Sequence, residues 1–246
     1  MSRLWRVHHA ELPSDAGSSI DLDSKEAHHV QRVLRLRVGE PVAVFDGKGT
    51  EWRAIVSDSV AGRVTLTLDA PLETDVEAPL ELELFQGLCK TDRMDWIVQK
   101  ATELGVAAIR PFVSRRSEAH RPNEQRLGRW RRIALEACKQ CGRRKAPVVE
   151  PSDGLPGLPE GGTVGFLLDP EGAPLAEGCA LLTGLPRIWI AIGPEGGFEE
   201  EELRGWGAAG WIRAGLGPRT LRVETAGVVA AAIVLHRLGD LGREAG

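Results

Sequence analysis

The chain has 246 residues, of which 42% are hydrophobic, enough to bury a sizeable core in one large domain or in a small domain joined to a medium one. Its 31 lysines and arginines are outnumbered by 35 aspartates and glutamates, which excludes coating of nucleic acid through net charge alone but leaves room for local basic patches. Four cysteines are too few for a disulfide scaffold of this length, and the longest apolar run, Ala226 to Leu235, is too short to span a bilayer.

Two domains are expected. The opening "MSRLWRVHHAELP" has no apolar core, so the chain reads as cytoplasmic. Residues 1–70 alternate short apolar runs with turn signals ("VAVFDGKG", "EWRAIV", "RVTLTL") and predict a small β-rich domain, with a hairpin turn at Asp46-Gly47. Residues 71–79 are acidic and proline-bearing and read as a linker. In residues 80–246 the rhythm changes. "LELELFQ" reads as a strand, "DRMDWIVQKATELG" as an amphipathic helix ending at Gly105, "AAIRPFV" as a strand, and "NEQRLGRWRRIALEACKQCG" as a helix ending at Gly142. "TVGFLL", "RIWIAI" and "WIRAGL" follow as strands, and "VETAGVVAAAIVLHRLG" closes the chain as a helix. Strands alternating with helices predict a parallel sheet covered on both faces.

Ligands of such sheets sit beyond the carboxyl ends of the strands. Three strands there run into loops that pair proline with glycine: "LLDPEG", "IGPEGGF" and "LGPRTLR". None carries the glycine pattern of a dinucleotide site or the lysine of a P-loop. Glu199 to Glu202 crowd carboxylates onto a helix start, where a helix dipole favours them and a phosphate would be repelled; they serve equally well as a solubilising helix N-terminus. S-adenosylmethionine, a sulfonium cation without phosphate, fits these loops. Arg222 stands at or just before the first turn of the last helix, against the helix dipole, which indicates either a functional role or an ion pair with Glu224. Cys138 and Cys141 form a C-x-x-C with no second pair, and the histidine pairs His8-His9 and His28-His29 lack supporting ligands, so no metal site is expected.

The stretches "KTDRMDWIVQKATELGVAAIRPFVSRRSE", "IAIGPEGGFEEEEL" and "LGPRTLRVETA", in that order, resemble the ribosomal RNA small subunit methyltransferase E family. "HHVQRVLRLRVGEPVAVFDGKG" is similar to that family's N-terminal part, so the resemblance spans nearly the whole chain. "CGRRKAP" and the opening "RLWRVHHA" depart from the family pattern, and neither touches the cofactor loops. The resemblance implies a SPOUT-type α/β domain with a trefoil-knotted parallel sheet behind a PUA-like β-barrel. It also implies a homodimer and methylation of N3 of a uridine in 16S rRNA. A SPOUT ribose 2′-O-methyltransferase and an inactive RNA-binding protein are the alternatives.

Carried onto this sequence, the resemblance places S-adenosylmethionine against Leu168, Asp169, Ile192, Gly193, Pro194, Glu195, Gly196, Gly197, Leu216, Gly217, Leu221, Arg222, Glu224 and Thr225. Arg222 is expected to stabilise the uracil anion, with Glu195 or Glu224 accepting the proton. RNA is expected on Arg3, Arg6, His28, Arg32, Arg35 and Arg37 of the first domain. It is also expected on Lys90, Arg93, Arg115, Arg116, Arg143 and Arg144, most of them within the basic stretch from Arg110 to Lys145. The substrate is expected to be the assembled small ribosomal subunit or a late precursor, with no membrane partner.

Overall fold

The computed structural model describes residues 4–73, 76–118, 120–159, 162–182 and 187–242. Arg3 lies outside them. The chain divides into two compact units, residues 1–77 with 138–146, and residues 78–137 with 147–246.

The first unit is built on a five-stranded sheet. Its strands are β1 (Arg6–His8), β2 (Ser19–Asp21), β3 (Pro41–Phe45), β4 (Glu51–Val60) and β5 (Arg63–Pro71), in the order β1-β3-β4-β5-β2. All pairings are antiparallel except β1 with β3. The period of two expected from "RVTLTL" is visible in β5, where Val64, Leu66 and Leu68 are buried and Thr65 and Thr67 are half-buried. Asp46 makes the β3–β4 hairpin turn, its Oδ1 accepting from the backbone N–H of Lys48, Gly49 and Thr50 at 2.7–3.0 Å. A short helix, α1 (Ser24–His28), is capped by Asp23 and continues as a π-helical turn, His29–Leu34. That turn ends on Arg35 in the left-handed region at φ 56°, unusual for a residue with a Cβ.

Residues 138–146 belong to this unit, although the sequence pattern runs them on from the second one. Buried ion pairs hold them there. Arg6 is 8% exposed and Arg143 5%. The Arg6 guanidinium donates to Glu51 at 2.7 Å, to the Arg143 carbonyl at 3.0 Å and to the Cys138 carbonyl, and lies 4.4 Å from the Phe45 ring centre. Glu77 accepts from Arg143 Nε at 3.0 Å and from the backbone N–H of Arg144 and Lys145 at 2.8 and 2.9 Å. Lys139 donates to the buried carboxylate of Glu26.

The second unit is a six-stranded, all-parallel sheet. Its strands are β6 (Glu81–Gly87), β7 (Ala108–Phe112), β8 (Val148–Val149), β9 (Thr163–Pro174), β10 (Arg187–Ile192) and β11 (Ile212–Gly215), in the order β11-β9-β10-β6-β7-β8. The helices are α2 (Thr91–Leu104), α3 (Glu124–Cys141), α4 (Leu175–Ala180), α5 (Glu200–Ala208) and α6 (Val223–Leu238); α3 ends in residues of the first unit. Glycines at positive φ, Gly105 and Gly142, follow α2 and α3 as the sequence predicts.

Alternation along the central strands assigns the two faces. Leu82, Leu84, Ile188, Ile190 and Ile192 point into one core with residues of α2, α3, α4 and α6. Phe85, Trp189 and Ala191 point into a second, aromatic core with Phe112, Phe198, Leu203 and Trp211. α6 packs on α2, α4, β6 and β10, with Gly227, Ala230, Ala231, Val234 and Leu235 buried and Val228, Val229, Ala232 and Ile233 only half-buried.

One strand departs from expectation. β9 does not stop at Leu168, where "TVGFLL" ends, but runs to Pro174, and its pairing with β11 jumps from Leu167 opposite Arg213 to Ala173 opposite Ala214. Residues 168–172 therefore leave the ladder while the strand resumes beyond them. β8, α4 and α5 are too short for their periodicity to stand out in the sequence.

Candidate active site

The excursion within β9 and the carboxyl ends of β10 and β11 carry the three proline-and-glycine loops, and together these loops enclose a cavity of about 680 Å³. Its walls are Leu168, Asp169 and Pro170 from the β9 excursion, Ile192 to Phe198 after β10, and Leu216, Gly217 and Arg219 to Val223 after β11, with Ala226. Arg93 of α2 and Arg116 of the β7–α3 connection complete it.

The loop after β10 is held from several sides. Gly197 N–H donates to the Pro194 carbonyl at 2.9 Å, closing a tight turn. A Cβ at Gly87, the end of the neighbouring strand, would stand 2.6 Å from Pro194 N and 2.7 Å from the Gly193 carbonyl carbon, so only glycine lets the two backbones meet. Arg93 donates to Glu195 at 2.8 Å and Arg116 to the Gly196 carbonyl at 3.0 Å.

Three of the four glutamates that follow are explained by the same connection. Glu202 accepts from the backbone N–H of Glu199 at the start of α5 and of Arg115, both at 3.0 Å. Arg115 also pairs with Glu201 and Glu199, and the Glu201 carboxyl is held below its ordinary range chiefly by that hydrogen bond. The run caps α5 and ties it to the β7–α3 connection.

Most expected cofactor residues meet at the cavity. Leu168, Asp169, Ile192, Gly193 to Gly197, Leu216, Gly217, Leu221 and Arg222 all line it; Glu224 and Thr225 do not. Arg222 is exposed, takes an extended backbone at φ −66° and ψ 152°, and is the N-cap of α6. Among the described residues it has no ion pair, so the pairing with Glu224 open to the sequence is not made. Glu224 instead faces Arg93, with 3.8 Å between Oε2 and Nε, within ionic reach but beyond hydrogen-bond distance. Cys89 is buried beside this group; burial first, then Glu195 and Glu224, pushes its thiol up to about 12, which leaves it an inert, protonated group.

The RNA residues fare differently. Arg6 and Arg143 are corrected: both are buried inside the first unit with their guanidiniums committed, and a phosphate cannot reach them. Arg144 donates to the Leu72 carbonyl at 3.3 Å. Arg93 is a cavity residue rather than part of an outer basic face, and Arg116 lines the cavity as well. Arg110, Arg121, Arg129 and Arg131 of the basic stretch each pair with carboxylates, so the positive charge legible in the sequence is largely matched in space. His28, Arg32, Arg35, Arg37 and Lys90 are exposed. Arg219 was not anticipated; like Arg222 it is exposed, lines the cavity and has no ion pair among the described residues. Its only signal was a place in the same loop.

S-adenosylmethionine fits this cavity. The volume is in the range of cofactor sites, and the walls carry Leu168, Ile192, Leu216, Leu221 and Val223 for an apolar ring. Asp169 is occupied by Arg213 at 2.9 Å and by the Glu171 N–H at 2.8 Å, which fixes the β9 excursion rather than leaving a free anion.

Fold and site together define a methyltransferase acting on RNA. The family model described as an RNA methyltransferase domain matches residues 76–235, and an RNA methyltransferase PUA domain matches residues 22–69. The ribosomal RNA small subunit methyltransferase E of Synechocystis is 33% identical over 87% of this chain and 72% of its own length, and that of Bacillus subtilis 27% identical over 89% and 90%. The structure of the corresponding Neisseria gonorrhoeae protein, bound to S-adenosyl methionine, superposes with a TM-score of 0.85 at 32% identity, covering 97% of this chain and 99% of that one. The chain belongs to the ribosomal RNA small subunit methyltransferase E family.

Among the described residues no helix is long and apolar enough to cross a membrane.

Proposed function

We propose that this chain methylates N3 of one uridine near the 3′ end of 16S rRNA, in the small ribosomal subunit or a late precursor, acting in the cytoplasm as a homodimer. The observation that carries this reading is Arg222, a cation without an ion pair among the described residues at the wall of a cavity whose carboxylates are already matched. When bound, S-adenosylmethionine supplies an electrophilic methyl group on a sulfonium. Uridine N3 is a poor nucleophile until it loses its proton. A guanidinium next to the uracil ring stabilises the anion that results.

Neither expected base is well placed. Glu195 lines the cavity but is held by Arg93 at 2.8 Å, and Glu224 faces Arg93 without lining the cavity. Anion stabilisation by Arg222, with the proton released to solvent at the open mouth, therefore suits the geometry better than a dedicated carboxylate. Leu168, Leu216, Leu221 and Val223 of the wall hold the adenine, and the exposed His28, Arg32, Arg35 and Arg37 contact RNA phosphates.

The half-buried Val228, Val229 and Ala232 of α6 support the second copy. The trefoil knot is implied by the resemblance; the excursion of β9 out of its parallel pairing with β11, where a Cβ on Gly172 would come within 2.5 Å of the Ala214 backbone, is the close packing of chain that such a knot requires. Stretching single molecules from both termini should then leave a contour shorter than that of an open 246-residue chain, and full extension would refute the knot.

The function is tested by incubating small subunits from cells lacking this protein with the purified chain and S-adenosylmethionine, then digesting the RNA and locating the methyl group by mass spectrometry. A 3-methyluridine at one position is expected. A methyl group on a ribose would replace this reading with 2′-O-methylation.

A further inference from the structure

Arg93 is an unexpected neighbour for a cationic cofactor. It lies in the first turn of α2, where the helix dipole disfavours a positive charge, and it lines the cavity. Two carboxylates offset that placement, Glu195 at 2.8 Å and Glu224 at 3.8 Å. The three residues come from α2, the loop after β10 and the first turn of α6, so one guanidinium gathers three element ends behind and along the cavity wall. With Asp169 matched by Arg213 at 2.9 Å, both carboxylates that line the cavity have a cationic partner.

We propose that Arg93, by neutralising Glu195 at the cavity wall, sets the balance between holding the cationic methyl donor and releasing its neutral product. The proposal rests on the reading of this cavity as the S-adenosylmethionine site. Donor and product differ at sulfur: transfer breaks the S–CH₃ bond, leaves its electron pair on sulfur, forms an N3–CH₃ bond on uracil and sends the N3 proton to solvent. A positive charge is therefore present before transfer and absent after it. An unpaired Glu195 would favour the charged donor over the product. It would do so in the ground state, where tighter binding gives no rate and deepens the well from which the reaction starts. Neutralised by Arg93, the same carboxylate discriminates little between the two.

The role is one of positioning and charge, not of contact with the reacting atoms. Arg93 and Glu195 are partly exposed, with side chains 25% and 39% accessible, so solvent screens the pair and a modest effect is expected.

The test is calorimetric and needs no turnover. Dissociation constants of S-adenosylmethionine and of its demethylated product are measured on the full chain, wild type and variants, and their ratio is the readout. Arg93→Gln should shift the ratio toward the donor roughly three- to tenfold, as expected for one unpaired charge at partly solvated range. Arg93→Lys should hold it near the wild-type value, and Arg93→Gln with Glu195→Gln should return it there. Loss of mere structural support would weaken both ligands together and leave the ratio unmoved, which would overturn the proposal. A shift that persisted in the double variant would overturn it equally. A wild-type chain that bound neither compound would overturn the reading of the cavity, and the proposal with it.

Discussion

Arg6 and Arg143 of the first unit and Arg219 and Arg222 of the cavity are the same chemical group put to opposite uses. Arg6 and Arg143 are buried, hydrogen-bonded to carboxylates and carbonyls, and occupied in holding residues 138–146 onto the sheet of the first unit. Arg219 and Arg222 stand at the cavity wall with no ion pair among the described residues. A buried guanidinium is costly to leave unpaired, whereas an exposed one keeps its hydration and is free to meet a ligand. The charge offered directly to an incoming ligand is the charge the fold leaves unmatched.

The largest stability effect is expected where the pairing is deepest. Glu51→Ala removes the Arg6 partner from a site where both side chains are about 5% accessible, leaving a buried cation whose cost is about 3–5 kcal/mol. Thermal unfolding should show it as a fall of many degrees. Replacing both partners with apolar residues, Arg6→Met with Glu51→Leu, should recover much of the loss, because the penalty belongs to the orphaned charge rather than to the missing pair.

Smaller changes are expected on the exposed face of the first unit. Replacing Arg32, Arg35 and Arg37 by alanine should weaken binding to small-subunit RNA and reduce the salt dependence of its logarithm by up to about one unit per lost phosphate contact. An unchanged salt slope would move the RNA interface elsewhere.

The buried thiols give a pH effect. Burial pushes Cys89 and Cys138 up to about 12 and Cys179 up to about 11, against an ordinary value of 9.0. Their folded-state values are raised, so their contribution is fully present below pH 9.0 and is lost as pH rises toward 11 and 12. Denaturant unfolding should show stability declining across that alkaline window, and a triple Cys→Ala chain should decline less steeply. The smallest effect belongs to the surface. Arg121→Ala, at an ion pair whose side chains are 58% and 81% accessible, should leave the melting temperature unchanged within error.

Much of this was legible in the sequence, for identifiable reasons. Long periodic segments such as "DRMDWIVQKATELG" and "RIWIAI" announce α2 and β10 because a helix stripe or a buried strand needs many residues in phase. The three cofactor loops stood out because tight backbone turns demand glycine and proline. What was hidden is spatial. Nothing in "CGRRKAP" says that its arginine turns inward to Glu77, a contact across 66 residues. The basic stretch from Arg110 looked like an RNA face because its partners Glu83, Asp95, Glu150 and Asp153 lie outside it in sequence. Arg93 read as an RNA contact because Glu195 is 102 residues away. This also changes how the first unit can be tested. A truncation at residue 70 would strip Arg143 and Lys139 of the unit they pack in, so point variants on its exposed face are the sharper instrument.

The measurement that bears most directly on the central claim pairs methyl transfer with melting temperature for Arg222→Ala. An exposed N-cap arginine without an ion pair among the described residues should be dispensable for folding, and its loss should leave the melting temperature within a degree or so of wild type. If it stabilises the uracil anion, transfer to deficient small subunits at saturating S-adenosylmethionine should fall by about 10²-fold or more. Transfer retained within a few-fold, or a loss matched by a large fall in melting temperature, would contradict the account.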